Sequence, residues 1–176
     1  WAVCCTVVAT ETSTLTFITI GATQQTAAFY IQDLSGADAA GTMRQVSVAM
    51  VAMATGILVA QVGIVQALQP APRTLFMAGL PLAAVGFLIL MTSSEVWQVV
   101  VGYALMGLGY GLSNPAVSAA VSLAVDERVQ GTAAGYVSSS YAGGFIIGPL
   151  LGTGLYRIDP HITFGVCAAL VATAFM

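Results

Sequence analysis

VSVAMVAMATGILVAQVGIVQAL, residues 46–68, decides the fold class. No charged residue interrupts it. A bilayer core of about 30 Å takes about 20 helical residues at a rise of about 1.5 Å each, so this run is long enough to cross. Strands run about 4–8 residues, several times shorter. A helix of a soluble bundle keeps a polar stripe. Here Met50, Val51, Met53, Ile57, Leu58, Val59, Val62, Ile64 and Val65 leave almost none. The stretch reads as a helix with apolar surroundings on every side.

Five further runs flank it. Residues 1–31 are apolar and Thr-rich, and close at Gln32-Asp33-Leu34-Ser35-Gly36-Ala37-Asp38. Residues 75–91 are stopped by Thr92-Ser93-Ser94-Glu95, and the Gly-rich run 96–125 by Asp126-Glu127-Arg128. Residues 132–156 end at Arg157-Ile158-Asp159-Pro160-His161, and residues 162–176 form the last run. Nearly every charge falls in a break, as the cost of placing ions in hydrocarbon requires. The expectation is an all-α integral membrane protein with six spans, the last truncated.

Composition agrees. Hydrophobic types make up 58% of the 176 residues, charged types 6%, and mean hydropathy is +0.93. A soluble domain carries about a quarter charged residues. Four Lys+Arg, all of them Arg, and seven Asp+Glu give a formal charge of −3, which argues against a nucleic-acid partner. Cys4, Cys5 and Cys167 lack metal-site spacing and read as small apolar helix residues. A chain that opens on Trp1 and stops at Met176 inside an apolar run reads as a piece of a longer product. The positive-inside rule leaves orientation open, because Arg44 and Arg157 on one side balance Arg73 and Arg128 on the other.

Small residues indicate how the helices pack, since lipid supplies no hydrophobic push between them. Gly144, Gly148 and Gly152 lie four apart on one helical face, and Pro149 removes a backbone donor beside them, so a bend is expected there. Gly102, Gly107, Gly109 and Gly111 precede Asn114-Pro115 in the fourth run. Gly107-Leu108-Gly109-Tyr110-Gly111 hints at a dinucleotide fingerprint, but Leu112 stands in place of its third glycine and no strand precedes it.

The first run is the most polar. At about 100° per residue, Thr12, Thr16, Thr19, Thr23, Thr26 and Tyr30 share a stripe, with Glu11, Thr14, Gln25 and Gln32 on a neighbouring arc and Gln24 further round. Threonine hydroxyls can bond back to their own helix. Glutamine amides facing lipid would be costly, so Gln24 and Gln25 are expected to face other helices or a wet cavity. Glu11 has two readings. Buried, it would be a candidate proton carrier with a carboxyl favoured in its neutral form; at an interface it would be a solvated anchor.

These residues resemble the major facilitator superfamily of transporters (MFS). The chain is similar to the C-terminal six-helix half, nearest the drug:proton antiporter type. FYIQDLSG (29–36) resembles the end of that group's seventh helix, GYGLSNP (109–115) its tenth, and RVQGTAAG (128–135) the loop into its eleventh. GFIIGPLLG (144–152) is similar to the antiporter motif or its repeat in the eleventh helix. The acidic and basic signature loop of the N-terminal half is degraded at residues 66–73, which keep Arg73 and lack the Asp; residues 96–125 lack that half's fourth-helix Arg.

The resemblance implies one half-domain over residues 1–176, a missing N-terminal six-helix half, and cytoplasmic loops at Arg73 and Arg128. It also implies a multi-pass protein of the cell (inner or plasma) membrane. Substrate would sit between the halves near the midplane while they rock around it. Candidates for the substrate pathway are Gln24, Gln25, Tyr30, Tyr110, Asn114, Ser138 and Tyr141; Gly144, Gly148, Pro149 and Gly152 would form a packing and gating seam. The implied function is proton-coupled efflux of drugs or metabolites, with no cofactor and no metal. The alternative is symport or uniport of a sugar or organic acid, suggested by the consecutive glutamines, although the downstream asparagine and paired tyrosines of sugar porters are missing. From a different class, a non-transporting scaffold subunit would leave the glutamine pair unexplained. An enzyme would need converging polar groups within the spans, and the lone His161 sits in a loop.

Overall fold

The computed structural model describes the backbone of residues 2–175 and the side chains of residues 10–174. Cys4 and Cys5 lie outside the described side chains. Six long helices follow one another: α1 (Ala2–Ser35), α2 (Ala39–Leu58), α3 (Pro72–Thr92), α4 (Val96–Ala124), α5 (Gln130–Tyr156) and α6 (Pro160–Phe175). α2 runs straight into a π-helical segment, Val59–Gln66, and a single 3-10 turn, Glu127–Val129, links α4 to α5.

Local chemistry sets the boundaries. Gly36, at φ +60°, ends α1 by sending its N–H back to the Gln32 carbonyl at 2.8 Å. Asp38 then caps α2, its side chain accepting from the Gly41 N–H at 2.9 Å. This cap starts α2 seven residues before the apolar run at 46, because a polar first turn is helical without being suited to lipid. Pro72 opens α3 at a position where no N–H is needed. Glu95 and Gln98 form a capping box on α4, with Gln98 Oε1 accepting from the Glu95 N–H at 3.2 Å. α5 is a continuous α-helix through Pro149.

Among the described residues, three helices are long and apolar enough to cross a membrane: Ala39–Gln66, Pro72–Thr92 and Val96–Ala124. Pro160–Ala174 is apolar and shorter. The described part of α1 and all of α5 mix Thr, Ser, Gly and Gln with their apolar residues and fall short of that mark.

α4 is the centre of the bundle, packing on α1, α2 and α3, while α3 also packs on α6 and α1 on α5. Phe87, Leu90, Val99, Tyr103, Met106, Tyr110 and Phe164 make the main core. Glycines bring backbones together. A Cβ on Gly109 would stand 2.6 Å from the Gly79 carbonyl oxygen, and one on Gly86 would stand 2.8 Å from that of Gly102. This pairing makes α3 and α4 antiparallel. On the other side of α4, Gly107 abuts the Met53 carbonyl and Gly111 faces Ala60, so α2 and α4 run parallel. Close approach of this kind supplies the dispersion contacts that hold helices together in lipid. The outer surface of α2, of the π-helical segment and of α3 is chiefly apolar, with Val48, Val51, Leu58, Val62, Met77, Val85 and Leu88 exposed; Ser47, Thr55 and Gln61 interrupt it. An apolar exterior of this extent is a membrane-facing surface.

Candidate functional site

α1 is polarised around its circumference. Thr12, Ser13, Thr16, Thr19, Thr23, Thr26 and Tyr30 are buried, whereas Glu11, Gln24, Gln25, Gln32 and Asp33 are exposed. Three of the buried threonines satisfy themselves by bonding back: Thr19 to the Thr16 carbonyl at 2.7 Å, Thr23 to that of Thr19 at 2.6 Å, and Thr26 to that of Ala22 at 2.9 Å. The stripe also meets α4. Thr19 shares a 2.7 Å hydrogen bond with the Tyr110 hydroxyl, and the Tyr103 hydroxyl donates to the Thr23 carbonyl at 3.0 Å.

Two pathway candidates are thereby placed in the interior. Tyr110 is 1% exposed, with its hydroxyl engaged by Thr19. Tyr30 is 4% exposed and donates to the Leu90 carbonyl at 2.9 Å while contacting Ser93 Oγ at 2.7 Å. Neither hydroxyl is presented to an open cavity. Both rings are drawn inward because each polar tip finds a partner there.

The other candidates are on the outside of the chain or near it. Gln24 and Gln25 are exposed and make no hydrogen bond among the described residues. Asn114 is half-buried in α4, Ser138 is exposed on α5, and Tyr141 is half-buried with its ring stacked on Phe17 at 4.1 Å between centroids. The chain does not bring the seven pathway candidates to one place. Glu11 is exposed, so the chain itself does not withdraw this carboxyl from water. Gln45, on α2, has a buried Oε1 with no partner.

α1 and α5 meet along a glycine seam. Gly144, Gly148 and Gly152 are buried, and Cβ atoms on them would lie 2.6 Å from Phe17 Cβ, 2.5 Å from the Ile18 carbonyl oxygen and 2.7 Å from Ala22 Cα. Pro149 Cδ lies 3.2 Å from where a Cβ of Gly21 would be. The matching order of contacts makes α1 and α5 parallel. Aromatic pairs bracket the seam: Phe17 with Tyr141 at one end, Phe29 with Tyr156 at the other, where the Tyr156 hydroxyl also donates to Asp33 Oδ2 at 2.5 Å. His161, read from the sequence as a loop residue, ties the start of α6 to the end of α3 through the Met91 carbonyl at 2.6 Å.

Between the end of α4 and the start of α5 lies a cleft of about 400 Å³ to which Ser138 and Tyr141 contribute. Ser118, Ser122 and Gln130 complete its polar lining. The sequence held a signal for them. Ser118 and Ser122 are four apart on α4, and Ser138 and Tyr141 three apart on α5, which puts each pair on one helical face. Among the described residues, no group of three His, Cys, Asp or Glu is placed to hold a metal ion.

The family model described as Major Facilitator Superfamily matches residues 3–176. No curated protein matches the chain.

Proposed function

The chain belongs to the major facilitator superfamily, whose members are membrane transporters rather than enzymes, and from that premise we propose that it is the C-terminal six-helix half of a proton-coupled exporter of drugs or metabolites. In this reading all six helices span the cell (inner or plasma) membrane, and an N-terminal six-helix half of the same chain covers α1 and α5. The loops at Arg73 and Arg128 face the cytoplasm.

One observation carries the reading: the exposed face is polar at Gln24 and Gln25 of α1 and over the first turns of α5, whereas it is chiefly apolar on α2, on α3 and on the second half of α5, where Phe145, Ile146 and Leu150 are exposed. Gln24, Gln25, Tyr136, Ser138 and Ser139 are exposed on the first pair of helices. On the second pair, away from the helix ends, the exposed large side chains are Val48, Val51, Leu58, Met77, Val85 and Leu88, with Ser47 and Thr55 between them. Unpaired amides in hydrocarbon cost several kcal/mol on an order-of-magnitude scale, whereas a water-filled cavity between two halves accommodates them. Gln24, Gln25, Asn114, Ser138 and Tyr141 then line the pathway wall. Gly144, Gly148, Pro149 and Gly152 form the seam along which α1 and α5 adjust during rocking. Glu11 is the candidate proton carrier of this reading, as an ionisable residue within a span. Replacing Glu11 with Gln then alters the pH dependence of transport, and an unchanged profile removes it from the mechanism.

The test is flux. Full-length transporter in proteoliposomes should move a neutral amphiphilic drug such as chloramphenicol against its gradient when an opposing proton gradient is imposed, and should stop when an ionophore collapses that gradient. Flux indifferent to the proton gradient would contradict proton coupling; no flux of any tested drug or metabolite would contradict export.

A further inference from the structure

We propose that the cleft between the end of α4 and the start of α5 binds an uncharged small molecule that presents hydroxyl or amide groups on an apolar body. The inference rests on the transporter reading and names the class of cargo that this part of the wall would accept.

The cleft's size, about 400 Å³, falls within the range of small-molecule pockets and far exceeds the space of one water. Its walls combine two kinds of surface. Val121 and Val137 are buried apolar floor at 4% and 5% exposure. Ser122, Ser138, Gln130 and Tyr141 supply the polar groups around it. The hydroxyls of Ser122, Ser138 and Tyr141 have no hydrogen-bond partner among the described residues. They are unspent donors and acceptors, unlike the neighbouring Ser139 and Ser140, which bond back to the Gly135 and Tyr136 carbonyls.

The polar groups are also held in place. Tyr141 is fixed by its stack on Phe17, and Gln130 Nε2 donates to the Ser122 carbonyl at 3.1 Å, leaving its Oε1 to accept. A floor of this kind positions ligand groups without first having to order its own. Charge completes the argument. None of the lining residues is ionisable at neutral pH, and Asp126, Glu127 and Arg128 in the adjoining turn do not line the cleft. A charged ligand would lose water and gain no counter-ion here, whereas a neutral hydroxylated one would exchange water for the four polar groups.

The experiment uses the full-length chain in nanodiscs, with Cys4, Cys5 and Cys167 replaced by Ala and a reporter thiol at Ser138→Cys. N-ethylmaleimide labelling is timed with hexyl β-D-glucoside, hexyltrimethylammonium or hexanoate, three amphiphiles that share a tail and differ in charge. The glucoside should slow labelling about fivefold or more and the two ions less than about twofold. Adding Tyr141→Phe and Gln130→Ala should remove the protection. A second reporter, Ser122→Cys, is measured in parallel so that poor folding of one variant does not decide the result. Equal or stronger protection by either ion, or protection by none of the three at both reporters, would overturn the proposal. Protection in a protein without flux would retain this site and remove the exporter reading; flux without protection would do the reverse.

Discussion

The seam between α3 and α4 and the seam between α1 and α5 are closed in the same way, yet they border different surroundings. In both, glycines let one helix approach the backbone of another: Gly109 against Gly79 in the first, Gly148 against Ile18 in the second. The α3–α4 seam draws glycines from both helices and lies between apolar faces, with Leu80, Ala83 and Met106 fully buried beside it. The α1–α5 seam draws its ladder from α5 and is flanked by exposed Gln25 and Ser138. Small residues therefore describe how two helices touch. The polar residues beside them describe what the pair faces.

The largest effect separating the two seams should come from Gly109→Leu. The new side chain would meet backbone on α3 with nowhere to go, and overpacking of that kind costs about 3 kcal/mol or more. No monodisperse protein should be recovered by size-exclusion chromatography in detergent. Recovery of well-behaved protein would show that the α3–α4 seam can open.

Gly148→Leu comes next. This seam lies at the edge of the bundle, so the variant should reach the membrane and lose transport by about tenfold or more, about 1.4 kcal/mol or more on the rate-limiting step. Normal efflux would remove the seam from the mechanism, and absence from the membrane would make the two seams alike.

A smaller change is expected from Tyr110→Phe, which deletes a buried hydrogen bond to Thr19 and leaves the ring. The loss should be about 1 kcal/mol, read as a fall in melting temperature of about 3 °C. No shift would mean that the α1–α4 contact is held by packing alone. The smallest effect on stability should come from Gln25→Leu, within about 0.5 kcal/mol because the side chain is exposed and unbonded. Its transport should fall nonetheless; unchanged transport would place Gln25 outside the pathway.

Much of the helical layout was legible because charge and Pro/Gly punctuation interrupt otherwise continuous apolar runs. α4 occupies 96–124 against a run of 96–125, and α5 occupies 130–156 against 132–156. The early start of α2 was hidden, because an apolar run marks what suits lipid while Asp38 marks where the helix begins. The π-helical stretch from Val59 to Gln66 left no trace in composition. In the candidate site, the threonine stripe was visible as a face, but its direction was not. Hydroxyls that bond to their own helix suit a core as well as a cavity. Tyr30 and Tyr110 look like pathway residues for the same reason, and only the positions of Leu90, Ser93 and Thr19 reveal that their tips are already occupied. Ser118, Ser122 and Gln130 escaped notice because the cleft depends on two helices separated by a turn.

The contrast between a wet wall and a greasy one is tested most directly by spin labels on the full-length protein in bilayers. Labels at Gln24→Cys and Gln25→Cys should relax faster with a water-soluble nickel chelate than with oxygen, and labels at Val51→Cys and Val85→Cys should show the opposite order. Oxygen-dominated relaxation at positions 24 and 25, matching that at 51 and 85, would contradict the account.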